Sequence, residues 1–373
     1  MSDPARRVYL DHASTSPARP EAIEAVLRSL SQDGGDPGRV HSEGRRIRQE
    51  IEDARISVAD FLGARPREVV FTSGATESIA AATWGAGRRG SHVVFSAVEH
   101  SAVRDASERL DTTVVGCDQR GRVDADEIVG AIVVGRTSLV HLQLVNHEVG
   151  TIQPVAEVAA FCRERGVLLH VDAAAAAGHL EIDFAALGCD LLSLSAHKFG
   201  GPPGIGLLLV RRGVRLEPLL VGGAQERNRR AGLENTAAIM GFGAVARAID
   251  VPGEAAVARA QTDAIAAAAE EVAGVTLFGD QNRRVAHIIC LGVEGVEAEA
   301  VLIALDRAGI AVHSGSACAS EVLEPSPVLA AMGAEAAKSV RISVGWSTTD
   351  SDVNRFCRAF SAAVVDLRAL GTY

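Results

Sequence analysis

The 373-residue chain contains no run of about 18 uninterrupted apolar residues, which excludes a helix of bilayer-spanning type. Its first residues, MSDPARRVYLDHAS, include no apolar stretch of the secretory kind, so the cytoplasm is the expected location. There is no block of Lys or Arg, and the formal net charge is -10; a nucleic-acid partner is not expected, because phosphate contacts need a basic surplus. The cysteines (Cys117, Cys162, Cys189, Cys290, Cys318 and Cys357) are scattered, with no C-x-x-C pair, so neither a metal site nor a dense disulfide frame is expected. Internal repeats are also lacking. What remains is the balance of a globular protein, 47% apolar and 23% charged, in a chain too long for one ordinary core. A large unit plus a smaller one is the expectation.

The order of elements supports that division. Short β-rich runs (Glu68–Thr72, His92–Ser96, Thr112–Val115, Ser138–Leu144, Leu168–Val171, Leu191–Ser195, Gly206–Arg211) alternate with helical patterns at Glu43–Leu62, Glu77–Gly87, Val155–Arg165 and Ala231–Ala248. Such alternation predicts an α/β fold with a mainly parallel sheet covered by helices on both faces. The character changes near Val251–Gly253. A long Ala/Glu helix (Glu254–Val272) follows, then a strand at Val285–Leu291, a helix at Ala298–Ala308, a short strand at Val340–Val344 and a last helix opening at Thr349–Asp350. Residues 15–252 are therefore expected to form the large unit, and 1–14 with 253–373 the small one.

Three segments carry chemistry. In LLSLSAHKFGGPPGIGLLLVRR an apolar strand runs into Ser195-Ala196-His197-Lys198 and a Gly/Pro turn. A desolvated lysine amine is freed to form a Schiff base; the plainer alternative is a strand-end lysine snorkelling to water. In EVVFTSGATESI a strand, a Ser/Gly/Thr loop and a helix start would gather backbone N–H groups and hydroxyls around a phosphate, or simply cap the helix. In LLHVDAAAAA an apolar strand ends on Asp172. A carboxylate there could hold a pyridinium nitrogen protonated, or cap a following helix.

With these segments in hand, the chain resembles a cysteine desulfurase of the iron–sulfur-cluster-assembly type, within the class V aminotransferases. The likeness runs through Tyr9–Ala13, Phe71–Ser78, Val98–His100, Asn146–Gly150, His170–Asp172, Ser195–Lys198, Gly222–Arg230, Ser314–Ser320, Glu324–Leu329 and Arg341–Gly345. It implies the pyridoxal 5'-phosphate (PLP) transferase fold of type I, aspartate-aminotransferase-like, and a homodimer. Lys198 would hold the cofactor and shuttle protons, Asp172 would pair with the ring nitrogen, and His100 would stack on the ring and assist acid–base steps. Ala75, Thr76, Ser195 and His197 would hold the phosphate, and Arg341 would grip the substrate carboxylate through a two-pronged contact. Cys318, in SGSACAS, would take the sulfur of L-cysteine as a persulfide, release alanine and pass the sulfur to an acceptor protein.

Four positions depart from the family pattern. His147 stands where an Asn bonds the cofactor's phenolic oxygen, and Ala175 where a Gln does so. Leu233 replaces a Thr that reaches the neighbouring subunit's phosphate, and Asp36 an Asn that helps bind the substrate carboxylate. The expectation is a retained cofactor with weakened grip and slow turnover. The competing readings are a related PLP-dependent C–S lyase with an altered substrate and a sulfur-relay subunit whose cofactor site has decayed.

Overall fold

A computed structural model describes residues 7–32, 34–314 and 326–370. Its centre is a seven-stranded sheet. In spatial order the strands are Val69–Thr72, Gly206–Val210, Leu191–Ser195, Leu168–Asp172, Thr137–Gln143, His92–Ser96 and Asp111–Val115. Gly206–Val210 runs antiparallel to both neighbours, and the other pairings are parallel. Most of these strands read as continuous apolar runs because both sheet faces are covered. One face packs Phe71, Leu142, Leu169, Leu194 and Leu207 against Ser42–Phe61 and Thr236–Ala248; the other packs Val93, Leu139, Leu191 and Leu208 against Ala75–Gly87.

This topology fixes where a site can lie. Because Gly206–Val210 reverses direction twice over, Val69–Thr72 points the same way as the five other parallel strands. Their carboxyl ends therefore share one edge of the sheet, the edge at which open α/β folds bind ligands.

A second core is built on a four-stranded antiparallel sheet, ordered His313–Ser314, Ser339–Ser343, Ile288–Val293 and Val275–Phe278. Helices Val251–Glu270, Ala298–Arg307 and Asp350–Leu370 bury Ile265, Val301, Leu305, Phe356 and Phe360 against it. The N-terminal strand Val8–Tyr9 joins this part of the chain, pairing in parallel with Ile310–Ala311, while Asp11 bridges to Ser343. Among the described residues no helix is long and apolar enough to cross a membrane.

Two expected elements shift. The helix expected over Ala231–Ala248 begins only at Thr236, where the Asn235 side chain accepts from the Ala238 N–H. Ahead of it Glu226, Arg227 and Asn228 stand in left-handed geometry (φ 46°, 58° and 64°), which no right-handed helix accommodates. The strand expected at Val285–Leu291 is displaced to Ile288–Val293, because the Val285 N–H bonds the Gly150 carbonyl of the large sheet's loop instead.

Candidate active site

Each chemistry-bearing segment arrives at the shared strand edge. Asp172 is the last residue of its strand, and Ser195 ends the next, leading into a 3₁₀ turn, Ala196–Phe199, that carries His197 and Lys198. Gly200 closes this turn at φ +93°, and a Cβ there would meet Arg19 Cγ at 2.5 Å, so the position requires glycine. His100 follows strand His92–Ser96, and His147 follows Thr137–Gln143. Together Ala75, Thr76, His100, Gln143, His147, Asp172, Ala175, Ser195, His197 and Lys198 line one cavity of about 180 Å³.

The helix Ala75–Gly87 opens into this cavity from Gly74, which has no side chain to cap it. The Glu77 carboxylate reaches back to the Ser73 N–H at 2.8 Å, and Ala75 N–H donates to Ser195 Oγ at 2.7 Å. Ser195 takes the Ala75 N–H, and neither hydroxyl of the loop caps the amides that follow, which leaves donors at the helix start that suit a phosphate. Close packing preserves this loop: a Cβ on Gly206 would lie 2.4 Å from the Leu194 carbonyl oxygen and 2.6 Å from Gly74 Cα.

Asp172 is buried, and its Oδ1 accepts from the Ala174 N–H at 2.9 Å. Burial pushes its carboxyl above the ordinary range, with the Ala174 N–H, His100 and Lys198 opposing that rise. Among the described residues it has no ion-pair partner, as befits a carboxylate awaiting a protonated ring nitrogen. His100 Nδ1 accepts from the Ala102 N–H at 3.1 Å, which fixes the ring and leaves Nε2 for the cavity. Burial lowers the pKa of His100, and does so more strongly for His147. The two rings meet edge-on, with centroids 5.2 Å apart. Lys198 Nζ donates to the carbonyls of Ala13 (2.8 Å) and Ser14 (3.0 Å). These residues fit PLP: an amine, a carboxylate for the ring nitrogen, a buried imidazole and a helix start face one space.

Not every expected residue joins them. Within one chain Asp36 lies outside this cavity: its Oδ1 accepts from Gly38 N–H at 2.7 Å, it pairs with Arg39, and it lines a separate cleft beside Arg48, Arg55 and Glu234. Leu233 is 65% exposed and likewise outside. Cys318 falls outside the described residues. The other cysteines are free thiols, and burial drives all of their pKa values upward, to about 11 for Cys117 and about 12 for Cys162 and Cys189. A thiolate nucleophile needs the opposite shift.

Sequence reasoning passed over two groups, one lining the cavity and one next to His100 in the chain. Gln143 ends its strand inside the cavity and donates to the Val98 carbonyl. Glu99, beside His100, is wholly buried, and its Oε1 accepts from Ser96 Oγ–H and Gln143 N–H while Oε2 has no partner among the described residues. Burial, with the Asp172 charge adding to it, lifts Glu99 to about 8. An unfolded Glu titrates near 4.3, so the folded chain holds a proton here that the unfolded chain releases. That contribution to stability is complete below the unfolded value and is lost as pH rises through about 8. Glu99→Gln keeps an acceptor for both donors without the proton. Its melting temperature should gain on the wild type steadily between pH 5 and 8.5. A difference that stays flat with pH would rule out a proton held at Glu99.

Comparison with known proteins agrees with this site. Residues 8–356 match the model of the aminotransferase class-V family. The cysteine desulfurase IscS of Dictyoglomus turgidum is 36% identical over 383 residues, covering 99% of this chain and 97% of that protein. Among solved structures, a NifS-like protein superposes with a TM-score of 0.91 at 27% identity, covering 97% of this chain and 100% of its own. Another, SspA in complex with cysteine, gives 0.81 at 29% identity, with 91% and 99% covered. With the lysine, the carboxylate and the imidazole gathered at the strand edge, and likeness spanning nearly the whole length, the chain belongs to the PLP-dependent class-V aminotransferase family, among its cysteine desulfurases.

Proposed function

We propose that this chain takes L-cysteine as substrate, releases L-alanine and leaves the sulfur as a persulfide on Cys318, from which an acceptor protein in the cytoplasm removes it. The observation that carries this reading is the meeting of Lys198, Asp172 and His100 in one cavity, in a chain so similar to a cysteine desulfurase. Bound PLP supplies an electron sink that acidifies the substrate's α-proton and lets its C–S bond open. The protein does the rest. Lys198 anchors the cofactor and moves a proton at the substrate's α-carbon. Asp172 keeps the ring nitrogen protonated, and His100, neutral because it is buried, covers the ring. Ala75, Thr76, Ser195 and His197 hold the phosphate, with His147 near the phenolic oxygen. Arg341 binds the substrate carboxylate, and the Cys318 thiolate attacks sulfur. L-Cysteine and a thiol thus become L-alanine and a persulfide, with no outside oxidant.

The active unit is a C2 homodimer in this reading. It is supported by the exposed Leu220, Val221 and Leu233, all on the loop that also carries Arg227–Arg230 and so offering an apolar surface next to the cleft of Asp36.

The test is product analysis with L-cysteine and mass measurement of the Cys318 peptide. Alanine in step with a 32-dalton gain on that peptide, the mass of about one sulfur atom, is expected. Pyruvate and sulfide with an unmodified peptide would overturn the reading in favour of an elimination.

A further inference from the structure

The guanidinium assigned to the substrate carboxylate is already engaged. Arg341 Nη2 donates to Asp11 Oδ1 at 2.9 Å and to Ser14 Oγ at 2.6 Å, and Nη1 donates to the His147 carbonyl at 2.9 Å. Nε is buried, with no partner among the described residues. A guanidinium has five N–H donors in a rigid fork. It offers two edges on which a pair of donors runs parallel, Nε with Nη2 and Nη1 with Nη2, and both include Nη2. Since both hydrogens of Nη2 are taken, Arg341 cannot present either two-donor edge while Asp11 and Ser14 hold it. Its remaining donors, on Nε and Nη1, do not share an edge.

The two holders differ in how easily they let go. Asp11 is a carboxylate paired with Arg341, and its position is set by the backbone bridge to Ser343 and by the Tyr9 hydroxyl, which donates to the Asp11 carbonyl at 3.1 Å. Ser14 is a neutral hydroxyl that also donates to Asp11 Oδ1 at 2.9 Å, so it keeps a partner when the guanidinium leaves. Both contacts have an ionised donor, but only Asp11 adds the attraction of an opposite charge. A carboxylate arriving at Arg341 therefore displaces Ser14 rather than Asp11. The carbonyl of Ser14 also accepts from Lys198 Nζ at 3.0 Å, which ties this residue to the amine.

We infer that Ser14 is a specificity-determining residue for the substrate carboxylate, a displaceable latch that withholds the second prong of Arg341 from bound L-cysteine. Asp11 is the positioning residue that keeps the guanidinium aimed while the latch opens. The inference rests on Arg341 as the carboxylate-binding group, and the experiment separates the two.

Steady-state kinetics with L-cysteine on the holoenzyme and on Ser14→Ala, Ser14→Thr and Arg341→Ala, together with calorimetric titration of each by L-alanine, supplies the test. Removing the hydroxyl frees one charge-assisted donor for the ligand, so Ser14→Ala should lower KM and the L-alanine dissociation constant by about five-fold, with the change in KM rather than kcat. Ser14→Thr restores the hydroxyl and should return both constants towards the wild-type values. Arg341→Ala should raise KM by at least about ten-fold. If Arg341→Ala raises KM while Ser14→Ala leaves both constants unchanged or weakens them, the latch is overturned and the role of Arg341 stands. If Arg341→Ala leaves KM unchanged, the carboxylate assignment falls and the latch with it.

Discussion

Lys198→Ala is expected to lower turnover of L-cysteine by at least about a thousand-fold, equivalent to about 4 kcal/mol of barrier, while leaving a folded protein. The amine does two things that no neighbour can replace, anchoring the cofactor and moving a proton at the reacting carbon. Its structural work is smaller: the hydrogen bonds to the carbonyls of Ala13 and Ser14 are each worth about 1 kcal/mol net. Lys198→Arg separates the roles. An arginine keeps a cation that can donate to those carbonyls, but it neither deprotonates nor attaches to the cofactor. Both variants should therefore melt within a few degrees of the wild type, lose bound cofactor on desalting and turn over negligibly. The chain offers a clean readout, since its lysines are Lys198 and Lys338, and Lys338 sits beside Glu335 at the surface. Cofactor fixed by borohydride should therefore be found on the Lys198 peptide alone. Recovery of appreciable activity in Lys198→Arg would mean that the contacts to the N-terminal loop, not the amine's chemistry, are what the residue provides.

How much of this was legible in the sequence depends on the distance over which each feature is encoded. The strands were readable because burial on both faces makes them short apolar runs, and Leu191–Ser195 and His92–Ser96 stand where the runs predict. Helix Pro20–Gln32 went unread: Ile23, Leu27 and Leu30 are exposed on it, which blurs the apolar stripe. The edge strand Val275–Phe278 is only partly buried and has no run to announce it. Asp172, Lys198 and the Ser73–Glu77 loop could be found because each lies at or just after a strand end, with a distinctive local neighbourhood. The pairing of Arg341 with Asp11 joins residues 330 positions apart, and no local pattern carries it. Nor does composition reveal that Glu99 is cut off from water. The family pattern pointed to Asp36 as a threat to the substrate carboxylate, but within one chain its position in a separate cleft is a matter of tertiary placement.

The least legible feature supports the second prediction, that Arg55→Leu destabilises the chain by about 3–5 kcal/mol. Arg55 and Glu226 form a two-pronged ion pair (2.7 and 2.8 Å), with side chains only 3% and 2% exposed. Arg55 also donates to the Val69 carbonyl and to Glu52, and stacks over Phe71 at 4.7 Å. Glu226 Oε2 accepts from the Phe71 N–H. Removing the guanidinium strands a buried carboxylate, which is the costly way to break such a pair. The pair also restrains a strained turn. Glu226, Arg227 and Asn228 each hold a left-handed conformation that costs roughly 1–2 kcal/mol for residues other than glycine, least for asparagine. From this turn Arg230 reaches Glu77 at 2.9 Å, and Glu77 in turn bonds the Ser73 N–H of the phosphate loop. Urea unfolding of Arg55→Leu, Glu226→Leu and the double variant would test this. The double variant removes both charges and should recover much of the loss, but not all, because the turn then has no anchor. Retention of PLP should fall along with stability, since the turn positions Arg230 against the helix start. A loss under about 1 kcal/mol for Arg55→Leu would mean that the turn is held by its own backbone. Full recovery in the double variant would mean that the ion pair carries no part of that strain.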